Sequence, residues 1–447
     1  MSHRYFPHTE ADQREMLSAV GLPDIDALFR TIPESCRMSA DALPLGRPMS
    51  EWDLTERLES MAANSGGDWS VFVNAGSQRH HIPSVVPALA NRSEFLTAYT
   101  PYQPEMSQGT LQAIFEYQTL IARLTGLDVA NASMYDGATA MAEAVLMAMR
   151  ITKRTVVAVS GLVHPHWREV LDTYLAPIGA TVHILPPLDD GTTDIAELSG
   201  LDKAAALVMQ SPNFLGCIEN IAAAANAVHE AGGLLACGCS EPFALGAIKS
   251  PGALGADIAF GEGQSLGLSQ SFGGPGLGLM AAKAEYMRQI PGRLIGQTLD
   301  NRGQRAFVLT LATREQHIRR GKAVSNICSN AGHAALTAAV FMAAAGGEGF
   351  RALAAANRNL AEYAKARLRE LGFKPLSGIP TFNEFAMLAP ATFADAHKKL
   401  QTRKIFAGLP LSALYPQWDN AWLFGITETV GKKGVDSLIE SIREAMA

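Results

Sequence analysis

The chain has 447 residues, with 37 Lys and Arg against 43 Asp and Glu and a net charge of −6, which disfavours general binding to nucleic acid or to an anionic membrane. A hydrophobic fraction of 48% is ordinary for a globular protein, and the length predicts two or three domains. The start lacks a signal-peptide core, and the longest apolar run, Ala334 to Ala345, is shorter than a membrane span, so we expect a cytoplasmic protein. The scattered cysteines form no Cys-x-x-Cys pair and predict no metal site.

Residues 1–94 are predicted to form an N-terminal helical arm and an extended segment. Thr9 can cap a helix that ends near Val20, and Asp24 can cap a second helix around residues 25–29. Such short helices have little core of their own.

Residues 95–312 are predicted to form the large α/β domain. Its first helix after the Tyr- and Pro-rich loop is followed by Gly137-Ala-Thr139, a turn that opens an Ala- and Met-rich helix. Unpaired N–H groups at a helix start can hold a phosphate. Alternatively, Asp136 simply caps the helix. Since an acidic cap also repels phosphate, we interpret this cradle as vestigial.

Short apolar segments then alternate with predicted helices, two of which are Arg168 to Leu175 and Ile221 to Ala231. This texture predicts a mostly parallel sheet covered on both faces, with ligand sites beyond the carboxyl ends of its strands. The predicted strands are Thr155 to Ser160, Thr181 to Leu185, Ala205 to Gln210, Gly233 to Cys239, Asp257 to Gly261 and Gly276 to Ala282.

Residues 313–447 are predicted to form a helical bridge and a small C-terminal α/β domain. The bridge is predicted as a helical run from Thr313 to about Ala345 and a charged amphipathic helix over residues 350–371. The small domain is predicted from strands at residues 382–388 and 421–426 and helices at residues 394–403 and 435–446.

This layout is that of the aspartate-aminotransferase-like (type I) pyridoxal-phosphate enzymes, whose cofactor needs a Schiff-base Lys, an acid at the pyridinium nitrogen, a phosphate cradle and a stacking ring. No Lys, Arg or His lies between Lys249 and Lys283, where the Schiff-base Lys is expected. The strand ending at Cys239 has no acid, and Glu241 lies two residues beyond it. Only His164 is suited to stacking on a ring, and it is equally well explained as a loop histidine.

Several strings resemble the P-protein family of the glycine cleavage system over essentially the whole chain. Within that family they are similar to subunit 1, the N-terminal or alpha subunit, of the two-subunit glycine dehydrogenase (decarboxylating). The strings are Glu94 to Glu105 (EFLTAYTPYQPE), Asn131 to Asp136 (NASMYD), Gly263 to Gly267 (GQSLG), Thr313 to Arg320 (TREQHIRR) and Ser325 to Cys328 (SNIC).

The resemblance implies a complex of alpha and beta subunits with the same fold, in which beta carries the pyridoxal-phosphate lysine. Glycine is decarboxylated there, and its aminomethyl group passes to the lipoyl arm of H-protein. This chain then has no catalytic residue of its own and lines part of the shared site. Whether the complex is a heterodimer or a heterotetramer stays open, as does whether the vestigial pocket of Gly137, Thr139, His164 and Gln264 holds any ligand.

The resemblance implies that polar residues of the Pro-rich loop line the shared site: Tyr99, Thr100, Tyr102, Gln103, Glu105 and Gln108. Two prolines fix the loop and hold these side chains in place. Alternatively, the tyrosines only fill the subunit contact. Where the family has Tyr-Asp-His-Tyr, this sequence has Gln78-Arg79-His80-His81 and keeps only His80, which we take as a further candidate residue of the shared wall. Metal binding by the two histidines is not favoured, because adjacent residues face apart.

The run from Arg314 to Lys322 carries one acid, Glu315, among several basic residues. On a helix, Arg314 and His317 share one face and Arg319 and Lys322 another. This run is either a solvated helix or a face that meets carboxylates of beta or H-protein.

Two other classes of function compete with this interpretation. A free-standing pyridoxal-phosphate decarboxylase or transaminase would use Lys249 or Lys283. A non-enzymatic regulatory pseudoenzyme would add nothing to glycine turnover.

Overall fold

The computed structural model describes residues 7–38, 46–96, 100–200, 203–327 and 329–447. These residues divide into two compact units, one ending at Asp68 and one running from Trp69 to Ala447. The predicted boundaries at residues 94 and 312 stay a prediction. The α-helices are α1 (Glu10–Ala19), α2 (Glu51–Ala63), α3 (Val85–Ala90), α4 (Ser93–Leu96), α5 (Gln108–Thr125), α6 (Gly137–Thr152), α7 (Pro165–Leu175), α8 (Ile221–Glu230), α9 (Gln316–Arg319), α10 (Gly332–Arg369), α11 (Phe393–Thr402) and α12 (Gly431–Met446).

The strands form one large sheet, one smaller sheet and two short pairs. They are β1 (Ser70–Val71), β2 (Val129–Ala130), β3 (Val156–Ser160), β4 (Thr181–Leu185), β5 (Ala204–Gln210), β6 (Leu234–Cys239), β7 (Ile258–Glu262), β8 (Gly278–Ala282), β9 (Leu294–Leu299), β10 (Arg305–Thr310), β11 (Lys374–Pro375), β12 (Glu384–Leu388), β13 (Ile405–Phe406), β14 (Leu409–Pro410) and β15 (Ala421–Gly425).

The first unit begins with the two predicted caps. Thr9 Oγ1 accepts a hydrogen bond from the Asp12 N–H at 3.2 Å, and the Asp12 carboxylate accepts one from the Thr9 N–H, so α1 begins with a capping box. Asp24 Oδ1 accepts from the Ala27 N–H at 2.8 Å at the start of a short 3₁₀-helix. Both caps are confirmed. No described side chain of α1 or α2 is buried.

The large sheet of the second unit has the strand order β2-β8-β7-β6-β5-β3-β4. Strands β3 to β7 are parallel to one another, and β8 pairs antiparallel with both of its neighbours, β7 and the edge strand β2. The predicted, mostly parallel sheet is confirmed. Helices cover both faces of this sheet. Successive side chains of β3 point to opposite faces, so Val157 and Val159 pack with α6 and α7, and Ala158 packs with α8.

The small domain is a four-stranded antiparallel sheet, β11-β12-β15-β14, covered by α11 and α12. Both strands and both helices predicted there are confirmed. The hairpin of β9 and β10 in the large domain was not predicted.

The predicted helical run from Thr313 is wrong in its first half. Residues 312–322 form three separate short turns, with Glu315 extended and Arg320 at a φ of 51°, and α10 begins only at Gly332. The polar residues here present no continuous apolar stripe for a helix to bury. α10 then continues through Gly346, which breaks its regular geometry, to Arg369.

Among the residues that the structure describes, no helix has both the length and the apolar character required to cross a membrane.

Candidate functional site

Residues 74–81, which we call the occluding segment, lie across the carboxyl edge of the large sheet. His164, which follows β3, donates its Nε2–H to the Ala75 carbonyl at 2.9 Å. A Cβ on Gly76 would come within 2.7 Å of the His164 ring, so the Gly76 backbone packs directly on it. Burial lowers the pKa of His164. The ring predicted to stack on a cofactor is therefore covered by the chain itself.

The phosphate cradle is filled by carboxylates. Glu262 Oε2 accepts from the Gly137 N–H at 2.9 Å, and Glu262 Oε1 accepts from the N–H groups of Gln264 and Leu277 at 3.0 and 2.9 Å. Asp136 accepts from the Thr139 N–H at 2.8 Å, which confirms the capping alternative. Burial raises the pKa of Glu262 to about 7 against the effect of its N–H donors. A phosphate would have to displace this carboxylate.

Amide and hydroxyl groups occupy the stretch after β7, where the sequence analysis expected a Schiff-base lysine. After β7, Gln264 Oε1 accepts from the Gln78 N–H at 3.0 Å, and Ser265 Oγ donates to Glu241 at 3.1 Å. Lys283 follows the antiparallel β8 and pairs with Asp257 at the opposite edge of the sheet. Lys249 is exposed on a loop. Neither lysine therefore reaches this edge, and the residues present here do not fit pyridoxal phosphate.

A buried cluster of acids and one histidine anchors the occluding segment. His80 Nε2 lies 2.8 Å from Glu241, which follows β6, and His80 Nδ1 lies 2.8 Å from Glu428, which follows β15. Burial alone would lower the pKa of His80, but the two carboxylates outweigh it and raise the pKa to about 10. The His80 side chain is only 3% exposed. It therefore joins the large sheet to the small domain.

Glu384 secures the other end of the segment. Its carboxylate accepts from the Ala75 N–H at 2.6 Å and from Gln78 Nε2 at 3.3 Å. Burial raises the pKa of Glu384 to about 7. Asn383 Nδ2 completes the contact by donating to Gln78 Oε1. Gln78 and His80, from the string that differs from the family pattern, thus hold the pocket closed.

A second, exposed region brings together the two stretches predicted as the wall of a shared site. Arg293 Nη1 donates to Thr100 Oγ1 at 3.2 Å, and Nη2 donates to the Tyr102 hydroxyl at 2.9 Å. Its Nε lies 3.9 Å from Glu315 Oε2. A cleft of about 460 Å³ lies between Tyr102 and a group of residues from the turns after β10, namely Glu315, Gln316, His317, Arg320 and Gly321. Tyr99 lies outside the described residues.

The other predicted wall residues differ in exposure. Gln103 and Glu105 are exposed, whereas Gln108 bonds through its amide to the Pro104 and Phe307 backbone. His317 is exposed, with Nδ1 3.7 Å from Glu315.

The predicted common helix face of Arg314 and His317 is wrong. Arg314 is buried and donates to the carbonyls of Leu311, Ile290 and Gly292, and burial lowers its pKa. Arg319 is exposed on a different turn and donates to the Thr313 carbonyl. The extended backbone of Glu315 separates the turn of Arg314 from that of His317 and Arg319.

Arg293 was not predicted from the sequence to be a site residue. Its local signal is the turn Pro291-Gly292 directly before β9, where Gly292 adopts a φ of 74°. A cavity of about 260 Å³ lies beside it, lined also by Phe95, Thr100, Asn330 and His333.

The fold and the closed pocket define a type I pyridoxal-phosphate fold in which the chain fills its own cofactor position. The described geometry matches a glutamate decarboxylase of Lactobacillus brevis at 13% identity and a TM-score of 0.69, over 94% of this chain and 97% of that one, which shows the fold alone.

The family model described as glycine cleavage system P-protein matches residues 3–442. A probable glycine dehydrogenase (decarboxylating) subunit 1 of Desulfotalea psychrophila is 48% identical, over 99% of this chain and 98% of that protein. A crystal structure of glycine decarboxylase (P-protein) of the glycine cleavage system, in inhibitor-bound form, matches at a TM-score of 0.91 and 45% identity, covering 99% of this chain and 100% of that one. The chain belongs to the glycine cleavage system P-protein family.

Proposed function

We propose that this chain is the alpha subunit, subunit 1, of a glycine dehydrogenase (decarboxylating), and that a beta subunit carries the pyridoxal phosphate on its lysine. In the complex, glycine loses its carboxyl group as carbon dioxide and the aminomethyl group passes to the lipoyl arm of H-protein. The cofactor supplies the electron sink for this decarboxylation. The chain's relatives bear the name subunit 1, which supports a second subunit. The expected cytoplasmic location rests on sequence alone and stays a prediction.

The observation that carries this proposal is the closed cofactor pocket. Glu262 and Asp136 already bind the N–H groups at the start of α6, and Gln264 and Ser265 stand where a lysine is needed. A chain of this family with such a pocket needs its reactive amine from another subunit. The free-standing enzyme is not favoured, because Lys283 is paired at the far edge of the sheet.

We assign the wall of the shared site to the exposed part of the Pro-rich loop and the adjoining turns. The described residues of this wall are Thr100, Tyr102, Gln103, Glu105, Gln108, His317 and Arg319, and Tyr99, outside the described residues, is kept in it from the sequence alone. His80 and Arg314, which are buried within this chain, serve the closed pocket and the turn before β9 instead. The exposure of Tyr102, at 57%, and Met106, at 83%, supports a protein partner over this loop, because large apolar side chains are usually covered.

Reconstitution tests the proposal. The beta subunit and lipoylated H-protein are assayed for carbon dioxide release from glycine with and without this chain. We expect turnover only when all three proteins are present. Borohydride reduction followed by mass spectrometry should place pyridoxal on the beta lysine. Turnover that is unchanged on adding this chain would support the regulatory pseudoenzyme, and pyridoxal on Lys249 or Lys283 would support the free-standing enzyme.

A further inference from the structure

Arg293 connects the two halves of the proposed wall through one side chain. The residue is 4% exposed, and its guanidinium bonds two hydroxyls of the Pro-rich loop, those of Thr100 and Tyr102. The guanidinium carbon also lies 5.2 Å from the centre of the Tyr102 ring, within the range of a cation–π contact. The fork of an arginine can hold two such partners at once.

The opposite side of Arg293 faces the turns after β10. Its Nε lies 3.9 Å from Glu315 Oε2, and the same carboxylate lies 3.7 Å from His317 Nδ1. Glu315 therefore places a counter-charge between Arg293 and His317. Two loops that are separated by about 200 positions in the chain meet at one guanidinium.

The backbone that carries Arg293 is itself fixed from several sides. Arg314 donates to the carbonyls of Ile290 and Gly292, and Asn131 Nδ2 donates to the Pro291 carbonyl at 3.0 Å. The Arg293 carbonyl accepts from the Ala132 N–H at 2.9 Å. A side chain placed on such a turn has little freedom to move, which is the condition for positioning other groups.

We propose that Arg293 is the positioning residue of the shared wall. It holds Thr100 and Tyr102 of this subunit in one arrangement toward the reaction carried out on the partner's cofactor. Tyr102 is more than half exposed, so without the guanidinium its ring and hydroxyl would sample several rotamers. The proposal rests on the proposed function, because it assigns Arg293 a role only in the assembled enzyme.

The first arm of the test uses the isolated chain. Glu105 is exposed in the Pro-rich loop, so cleavage after Glu105 by a glutamate-specific protease, quantified by mass spectrometry, reports how firmly the loop is held. We expect Arg293→Lys to be cleaved there at least about fivefold faster, since lysine is a point charge that cannot hold both hydroxyls. The matched control is Arg154→Lys. Arg154 donates to the carbonyls of Ala204 and Ala231, which lie far from the Pro-rich loop in the sequence, so Arg154→Lys should be cleaved after Glu105 at the wild-type rate.

The second arm uses the reconstituted complex and a double-mutant cycle. We expect Arg293→Lys and Tyr102→Phe each to lower kcat roughly tenfold, the factor for loss of one charged hydrogen bond, with the KM for glycine changed less than about twofold. The double variant should lie within about twofold of the slower single variant, because both substitutions remove the same contact. Independent effects would instead multiply to about a hundredfold.

The outcomes separate this inference from the proposed function. Equal cleavage of wild type and Arg293→Lys after Glu105 would overturn the positioning role, whatever the activity. Normal turnover by Arg293→Lys in an active complex, or multiplied losses in the double variant, would overturn it as well. In each of those cases an active wild-type complex leaves the proposed function standing. A wild-type chain that adds no turnover to the beta subunit removes the proposed function, and with it the reaction that Arg293 would serve.

Discussion

Replacing His80 by Gln removes the cation that lies between two carboxylates, those of the buried Glu241 and the partly buried Glu428. The rise in the His80 pKa from 6.5 to about 10 corresponds to roughly 5 kcal/mol of stabilisation. Breaking a buried charged pair on one side typically costs about 3–5 kcal/mol. We therefore expect His80→Gln to lower the free energy of unfolding by about 4 kcal/mol at pH 6.

The pH dependence gives the sharper test. Because the folded-state pKa of His80 is raised, its stabilisation is fully present below about pH 6.5 and is lost as the pH rises through about 10. The difference between wild type and His80→Gln should therefore shrink by roughly 4 kcal/mol between pH 6 and pH 9.5. Other titrating groups are present in both proteins, so their contributions largely cancel from this difference.

Urea unfolding followed by tryptophan fluorescence at the two pH values measures this difference. The control is His229→Gln, because His229 also contacts a carboxylate, Asp257, at 2.7 Å, but its side chain is 36% exposed and Asp257 keeps Lys283 as a partner. We expect the control to cost less than about 1 kcal/mol at both pH values. A His80→Gln effect as small as the control, or one that is equal at pH 6 and 9.5, would refute the assignment of His80 as a charged anchor.

Two further predictions concern the cradle and an exposed loop. Glu262→Gln turns an amide N–H₂ toward one of three N–H donors, such as that of Gly137, and should destabilise the chain. Because the folded-state pKa of Glu262 is raised to about 7, the wild type loses stability as the pH rises from about 4.5 to 7. The destabilisation by the variant, measured by urea unfolding, should therefore be about 2 kcal/mol smaller at pH 8 than at pH 5. Phe272 is 96% exposed at a φ of 56°, a conformation that favours glycine, so Phe272→Gly should leave the melting temperature unchanged or raise it. Because we expect the partner to cover so exposed a ring, the same variant should weaken assembly with the beta subunit about tenfold or more in a titration. A lower melting temperature or unaltered assembly would contradict the second prediction.

Six of the seven strands of the large sheet could be predicted to within about two residues because each is a short, nearly continuous apolar run, whereas the two-residue strand β2 was not predicted. At Thr181 to Leu185 the predicted and observed bounds coincide, and at β8 the predicted start, Gly276, is two residues early. In the central strands β5 and β6 such a run also predicts burial, since a strand covered on both faces admits few polar side chains, whereas the edge strand β4 is largely exposed. The caps at Thr9 and Asp136 were equally local, because each is a contact between residues three positions apart.

The contacts that close the pocket could not be predicted in the same way. His80 meets Glu428 across 348 positions and Glu241 across 161, and no periodicity relates them. Arg293 likewise could be assigned to the site only from the structure, because its contacts form when the Pro-rich loop packs on the turn before β9. The helix predicted over residues 313–322 was wrong for the opposite reason. The spacing of charges was locally helical, but the side chain of Arg314 is directed inward to backbone carbonyls and overrides it.

The closed pocket also explains why buried acids accumulate at this edge of the sheet. A parallel sheet leaves helix N–H groups and strand ends facing one crevice, and in a cofactor enzyme those donors bind the cofactor. Here Glu262 supplies the missing negative charge to the start of α6, and Glu384 does the same for the backbone of the occluding segment. Burying each carboxylate raises its pKa, and therefore costs free energy, but leaving the N–H donors unsatisfied would cost a similar amount. A ligand phosphate would have to break these bonds before making its own, which is why we propose the wall around Arg293, rather than this crevice, as the part of the chain that serves the reaction.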